Sequence, residues 1–274
     1  MNIFNKPINE IIKSRHSVRT YENNELPKDV LNKVKTYVYE INNSKGIFGD
    51  KIRINLIEKN DENKETKLGT YGVIKGANYY LTAAYDKSDN KGLYDIGYLL
   101  EKVVLYCTDL GLGTVWLGGT FNKSKFAEAI NLKDNESLSI VCPFGIEADK
   151  KTFVAKMFGV NTNKRKDFTS LFFKDNFDTA LSYEEAGEYG EVLENIRLAP
   201  SALNKQPWRI VKEDNNLHIY SDDKIDMNKV DIGIALCHIE LTAREKGLNG
   251  KFEILKNKVS DKFEYVISWI DENN

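Results

Sequence analysis

Two stretches of this chain start with the same triplet and run for the same length. Asp95-Ile96-Gly97 opens a helical pattern that closes at Gly111-Leu112-Gly113, and Asp231-Ile232-Gly233 opens another that closes at Gly247-Leu248. In each, the Gly stands 16 residues after the Asp, and the two triplets lie 136 residues apart. Asp suits an N-cap or a first turn, and Gly suits the left-handed C-terminal cap. Between the caps, apolar residues fall at helical spacing: Leu99, Leu100, Val103, Val104 and Cys107, then Ile234, Leu236, Cys237, Ile239 and Leu241. A repeat of this period in 274 residues points to one module written twice.

The flanking segments repeat as well. Leu26-Pro27-Lys28-Asp29 starts a helix through Leu31, Val34, Val38 and Ile41, followed by a strand around Ile52–Ile57. Glu184–Leu198 reads as a helix, then a loop, then a strand from Trp208 to Val211. Asn78–Tyr85, Leu138–Phe144, His218–Ser221 and Phe263–Trp269 read as further strands. Alternating helices and strands indicate an α/β or α+β protein. The polar Asn161–Asp167 stretch marks the joint, with the first module at 1–166 and the second at 167–274, and Asp61–Lys67 is the candidate mobile loop.

Composition removes several function classes. Hydrophobic residues at 41% and charged residues at 29% provide for a buried core. A net charge of -2 lacks the basic excess of a nucleic-acid binder. No apolar run is long enough to span a membrane, and Met1–Pro7 lacks a secretory layout. Cys107, Cys142 and Cys237 form no C-x-x-C pair, which fits a reducing cytoplasm. His16, His218 and His238 are too scattered for a metal site, and His238, mid-helix beside Cys237, reads as a buried structural residue. No phosphate-binding P-loop, nucleophile elbow or Rossmann glycine fingerprint occurs. An enzyme of this composition would rely on a bound cofactor for its chemistry.

Two segments carry a functional signal. In Arg15-His16-Ser17-Val18-Arg19-Thr20-Tyr21, an extended backbone would put Arg15, Ser17 and Arg19 on one face. Two guanidiniums around a hydroxyl suit a phosphorylated polyol. The second is Leu198-Ala199-Pro200-Ser201-Ala202-Leu203-Asn204-Lys205-Gln206-Pro207-Trp208, between a helix and a strand. Its prolines fix the backbone, and Ser201, Asn204 and Gln206 offer hydrogen bonds to the polar edge of a planar ring.

These segments, together with Gly111-Leu112-Gly113-Thr114-Val115-Trp116-Leu117-Gly118-Gly119 and Val141-Cys142-Pro143-Phe144-Gly145, resemble the flavin-dependent nitroreductase superfamily, and within it the subgroup with two fused modules. The resemblance implies an α+β fold, a nitroreductase-like α/β/α sandwich whose two tandem, half-matched modules form an intramolecular pseudo-dimer. It also implies an FMN site. The cofactor-binding set it transfers is Arg15, His16, Ser17, Arg19, Gly118, Gly119, Lys164, Arg165, Pro200, Ser201 and Asn204. Arg15 and Ser17 would hold the phosphate and ribityl chain, and Arg19 the pyrimidine edge near N1. The Gly118-Gly119 backbone would approach N5, Pro200, Ser201 and Asn204 would cover the ring system, and Lys164 and Arg165 would neutralise the phosphate.

An ordinary member of the superfamily carries both motifs in one module, and here they are split. The first module keeps the arginine arm, but its loop position reads Ile41–Gly49. The second keeps the loop, but its arm position reads Leu171–Phe177. That split is expected if one composite FMN site per chain was retained and its symmetry mate was lost. The implied protein is a monomeric cytoplasmic oxidoreductase that passes hydride from NAD(P)H through FMN to a small electron-poor acceptor, nitroaromatic or quinone-like. No catalytic side chain is required and no metal is involved. Tyr71, Tyr79 and Lys75 could line the pocket. The alternative is a non-catalytic flavin-binding, flavin-storage or redox-sensing protein.

Overall fold

The computed structural model describes residues 3–49, 51–59, 68–149, 164–223, 225–256 and 262–272. The Asp61–Lys67 run and the Asn161–Asn163 start of the joint lie outside the described residues. Two compact units emerge. One comprises Met1–Lys6 and Ser14–Asn163, the other Pro7–Lys13 and Lys164–Asn274.

In the first unit, helix α2 (Lys28–Asn42) leads to β1 (Arg53–Glu58) and β2 (Tyr79–Asp86). Helix α3 (Gly92–Asp109), β3 (Gly113–Thr114), α4 (Lys123–Ala129) and β4 (Glu136–Gly145) follow. The strands form an antiparallel sheet in the order β1-β2-β4-β3. Tyr80, Ala84, Leu138 and Val141 pack on Val18, Tyr21, Phe121 and Phe126. Leu81 and Ala83, the alternate residues of β2, are equally buried, and α2 and α3 lie against β1 and β2. Coverage of both faces explains why β2 is apolar throughout rather than alternating.

The second unit contains α1 (Ile8–Ser14), α5 (Phe168–Leu171), β5 (Phe172–Lys174), α6 (Gly190–Leu198), β6 (Trp208–Glu213), β7 (Asn216–Ser221), α7 (Asp226–Glu245), β8 (Gly250–Glu253) and β9 (Glu264–Asp271). Its sheet runs β5-β6-β7-β9-β8. Apart from the parallel edge strand β5, this is the strand order of the first unit. In both units a helix, a loop and two antiparallel strands precede a long buried helix and a final pair of strands. The duplication suggested by the repeated triplet is therefore present as repeated topology. The N-terminal α1 belongs to this unit because its Ile8 N–H donates to both oxygens of Glu245, at 2.9 and 3.0 Å, and Ile8, Ile11 and Ile12 are buried.

The structure corrects two local expectations. Asp95 stands in the first turn of its helix, as expected, but Asp231 is neither cap nor first-turn acid, because its helix begins earlier, at Asp226. Both acids lie buried inside the helix and accept a backbone N–H from the loop ahead. Asp95 accepts from Phe48 at 3.1 Å, and Asp231 from Ala202 at 3.1 and 3.0 Å. The shared triplet thus marks the same loop-to-helix latch in each unit. The expected helix over Glu184–Leu198 is also shorter. Ser182 and Glu185 make a reciprocal capping turn, a 3-10 turn follows at Gly187–Tyr189, and regular helix starts at Gly190.

The glycine C-caps are as expected. Gly111 and Gly247 have φ of +79° and +73°, and Leu112 and Leu248 donate back to Cys107 and Ala243. His238 is fully buried, with Nδ1 at 2.8 Å from the Asn195 carbonyl.

Gly76 is the most constrained glycine. Its φ is +79°, and a Cβ there would lie 2.1 Å from the Tyr21 carbonyl oxygen. Gly76→Ala therefore combines left-handed strain with a backbone clash, and we expect a loss of about 2–4 kcal/mol by denaturant unfolding. A loss below about 0.5 kcal/mol, the level of a neutral surface change, would show that the close approach is unnecessary.

Candidate functional site

The arginine arm is held on the first unit by main-chain bonds at both ends. Val18 N–H donates to Thr114 O at 2.9 Å, Lys75 N–H to Arg19 O at 3.0 Å, and Tyr21 N–H to Lys75 O at 2.9 Å. The buried Tyr21 hydroxyl donates to Val18 O at 2.6 Å and lies 3.1 Å from Pro143 O. Burial raises the pKa of this phenol well above its usual value, so it stays a donor. Along this pinned stretch Val18 and Thr20 are buried, and Ser17 and Arg19 are partly exposed, the alternation of an extended chain.

Arg15 departs from that simple picture. It is half-buried, and its Nε and Nη1 are enclosed without a hydrogen-bond partner among the described residues. Burial lowers its pKa, opposed by attraction to Glu101. Unsatisfied guanidinium N–H groups in a desolvated setting are costly unless an anion joins them. Thr114 Oγ1, beside Ser17, is likewise buried without a partner among the described residues. His16 takes a different course: Nε2 lies 2.7 Å from Glu147 Oε2, and Nδ1 lies 3.1 Å from Ser14 O.

Gly118 and Gly119 are exposed, immediately after Leu117, which exchanges main-chain bonds with Val141 at 2.9 and 3.1 Å. A Cβ added at Gly119 would meet no atom within 4 Å, so the protein leaves open space there. Trp116 Nε1 donates to Glu101 at 3.1 Å, and Glu101 is completely buried in α3. Sequence reasoning missed Glu101. A charged residue on an otherwise apolar helical stripe was the available signal, and it acquires meaning only once Arg15 and Trp116 are seen beside it.

In the second unit the Pro200–Pro207 loop is built by its own polar residues. Leu203, Asn204 and Gln206 all take positive φ, at 53°, 56° and 50°. Arg165 donates to Asn204 Oδ1 and, at 2.8 Å, to Leu198 O. Asn204 Nδ2 donates to Lys164 O at 2.7 Å. Ser201 Oγ accepts from Gln206 N at 2.9 Å, and Gln206 Oε1 accepts from Lys166 N at 3.0 Å. The sequence suggested that Asn204 and Gln206 face a ligand and Arg165 a phosphate. In the structure these side chains hold one another and fix a strained loop. The Lys164 side chain and Leu203 remain exposed, the latter at 87%.

No group of His, Cys, Asp and Glu among the described residues could hold a metal ion. The three cysteines form no disulfide and are buried, and burial raises the thiol pKa of Cys107 and Cys142, which makes those two unreactive. Among the described residues no helix is long and apolar enough to cross a membrane.

A fold with one module repeated, an arginine arm on the first sheet and a rigid Pro-Ser-x-x-Asn loop on the second defines a class of chain that the comparisons identify. A family model described as "Putative TM nitroreductase" matches residues 7–243. The chain belongs to this nitroreductase family. A solved structure described as a putative nitroreductase from Thermotoga maritima is 23% identical, with a TM-score of 0.64, covering 98% of this chain and 96% of that one. It has the same fold. A nitroreductase family protein from Clostridium difficile is 21% identical, with a TM-score of 0.44, covering 58% of this chain and 92% of that one. A protein described as an FMN-dependent nitroreductase from Clostridium difficile is 17% identical, with a TM-score of 0.42, covering 57% and 97%. No curated protein matches the chain.

The loop latch carries a pH signature. Desolvation raises Asp231 to about 7, against the Ala202 N–H bond and Lys205, which lower it. The folded state therefore binds this proton more tightly than the unfolded chain does. Stability contributed by protonated Asp231 is present below about pH 4 and lost as the pH rises through about 7. Asp231→Asn should flatten the wild-type decline between those pH values in chemical denaturation. Parallel wild-type and variant profiles would contradict the assignment.

Proposed function

We propose that this chain is an FMN-dependent oxidoreductase that passes hydride from NAD(P)H to an electron-poor acceptor, nitroaromatic or quinone-like. One observation carries the reading: Arg15 Nε and Nη1 are buried without a hydrogen-bond partner among the described residues, on an arm whose register is fixed by main-chain bonds to Thr114 and Lys75. A phosphate supplies the anion that Arg15 lacks, and it can take two parallel N–H bonds from a guanidinium. Ser17 and Arg19, partly exposed on the same arm, suit the polyol and the polar ring edge of the same ligand. Family membership supports this choice of cofactor over other phosphorylated ligands.

FMN supplies the hydride chemistry when bound. The residues of the chain then orient and polarise. Arg19 would hold the pyrimidine edge of the ring and offset negative charge gained there, an electrostatic role that needs no proton transfer. The Gly118-Gly119 main chain offers close approach without side chains in the way. The Pro200–Asn204 loop contributes a surface whose shape is set in advance by Arg165, Lys166 and Asp231, so little ordering entropy is lost on binding. Lys164 adds exposed positive charge. In this reading the chain binds one FMN and acts as a cytoplasmic monomer on a small acceptor.

Arg15→Ala should weaken FMN binding roughly 10- to 100-fold, since hydrogen bonds to charged groups contribute about 1.5–3 kcal/mol. Gly119→Ala provides a sharper contrast. Its Cβ meets no protein atom within 4 Å, so thermal stability should hold while FMN affinity falls. Both are read by fluorescence titration of FMN. Equal affinity in both variants would remove this site from consideration. Steady-state oxidation of NADH or NADPH with a nitroaromatic acceptor separates a reductase from a flavin-storing protein, because the latter binds FMN without turnover.

A further inference from the structure

Residues 68–76 form a loop of the first unit that is tied to both candidate flavin-binding segments. Asn122 N–H, just after Gly118-Gly119, donates to Gly69 O at 2.8 Å. At the other end Lys75 exchanges main-chain bonds with Arg19 and Tyr21 of the arm, at 3.0 and 2.9 Å. Leu68 and Ile74 pack against the buried cluster around Phe121 and Phe126, and Thr70 is buried. The loop is thus anchored along its length, with one departure at its tip.

That departure is Tyr71. Its ring is 70% exposed, and its φ is 48°. Val73 N–H donates to Thr70 O at 2.9 Å, which closes a turn over Tyr71 and Gly72, and Gly72 has φ +77°. Positive φ at both central residues is the signature of a type I′ turn, whose first central position favours Asn, Asp or Gly. A tyrosine there accepts left-handed strain and leaves an aromatic face in water. Neither cost is offset by packing, and strain of this kind collects at functional sites. The main-chain bonds to the arm and to Asn122 hold the turn rigidly between the two segments that the flavin reading assigns to the ring system.

We propose that Tyr71 is a specificity residue that stacks on the flat, electron-poor ring of the acceptor. This rests on the flavin reading above and adds the acceptor's shape to it. An electron-rich phenol ring favours offset stacking on an electron-poor aromatic ring, and such a contact changes affinity about 2- to 13-fold. A bulky or non-planar acceptor gains nothing from it.

The test uses FMN-loaded wild type, Tyr71→Ala, Tyr71→Phe and Tyr71→Gly. The Gly variant guards against misfolding, because glycine relieves the positive φ, and it should melt no lower than wild type. Binding of 4-nitrobenzoate to the oxidised protein, without NADH, is followed by perturbation of the flavin spectrum. We expect the dissociation constant to rise about 3- to 10-fold in the Ala and Gly variants and to stay at the wild-type value in the Phe variant. KM for the same compound should rise in parallel, and cyclohexanecarboxylate should bind all four proteins alike. An unchanged 4-nitrobenzoate constant in both the Ala and Gly variants overturns the role of Tyr71 and leaves the flavin reading standing. Wild type that takes up no FMN overturns the flavin reading and this proposal together.

Discussion

A buried guanidinium is the constraint on which the candidate site depends. Arg15 cannot give up its charge within any ordinary pH range, and it lies where water is excluded from two of its nitrogens. Glu101, deeper in α3 and bonded to Trp116, supplies part of the compensation through its field. The unsatisfied N–H groups still require an acceptor. The arm cannot swing away to provide one, because Tyr21 and the main-chain bonds to Thr114 and Lys75 fix it. The protein thus maintains a preorganised demand for an anion, and the proposed flavin phosphate would meet it.

The two units share one topology. Each repeats one strand order, and each uses the aspartate of the same triplet to hold a loop N–H against its long buried helix. What differs is what stands around that frame. The first unit has an arm with arginines, and the loop N–H that its aspartate holds is that of Phe48. The second unit has the Pro-Ser-x-x-Asn loop, with three positive-φ residues braced by Arg165 and Lys166, and its sheet has the added short edge strand β5.

Much of the fold was legible because burial imposes periodicity. The helix through Leu31–Ile41 and the strands at Arg53–Glu58, Glu136–Gly145 and Trp208–Glu213 sit close to where apolar spacing put them. What local sequence could not show has a common cause. Asp95 and Asp231 read as acids at a helix start, yet their partners are distant backbone groups that no local pattern can reveal. Polar density in the loop likewise does not reveal the hydrogen bonds that Asn204, Gln206 and Arg165 make with one another and with the neighbouring chain. The placement of α1 with the C-terminal residues rests on Glu245, a pairing across most of the chain. In the site, the arm and the glycine pair were readable as motifs and Tyr71 as a candidate pocket residue, whereas the burial of Glu101 and the strain at Tyr71 became visible only in the structure.

The measurement that bears most directly on this account is the flavin content of the purified protein. After incubation with excess FMN and removal of free ligand, the visible spectrum and protein concentration together give flavin per chain. The account predicts oxidised flavin bands at one FMN per chain. Two per chain would mean that the duplicated halves hold equivalent sites. A colourless protein that cannot be loaded would mean that the buried charge of Arg15 serves another anion.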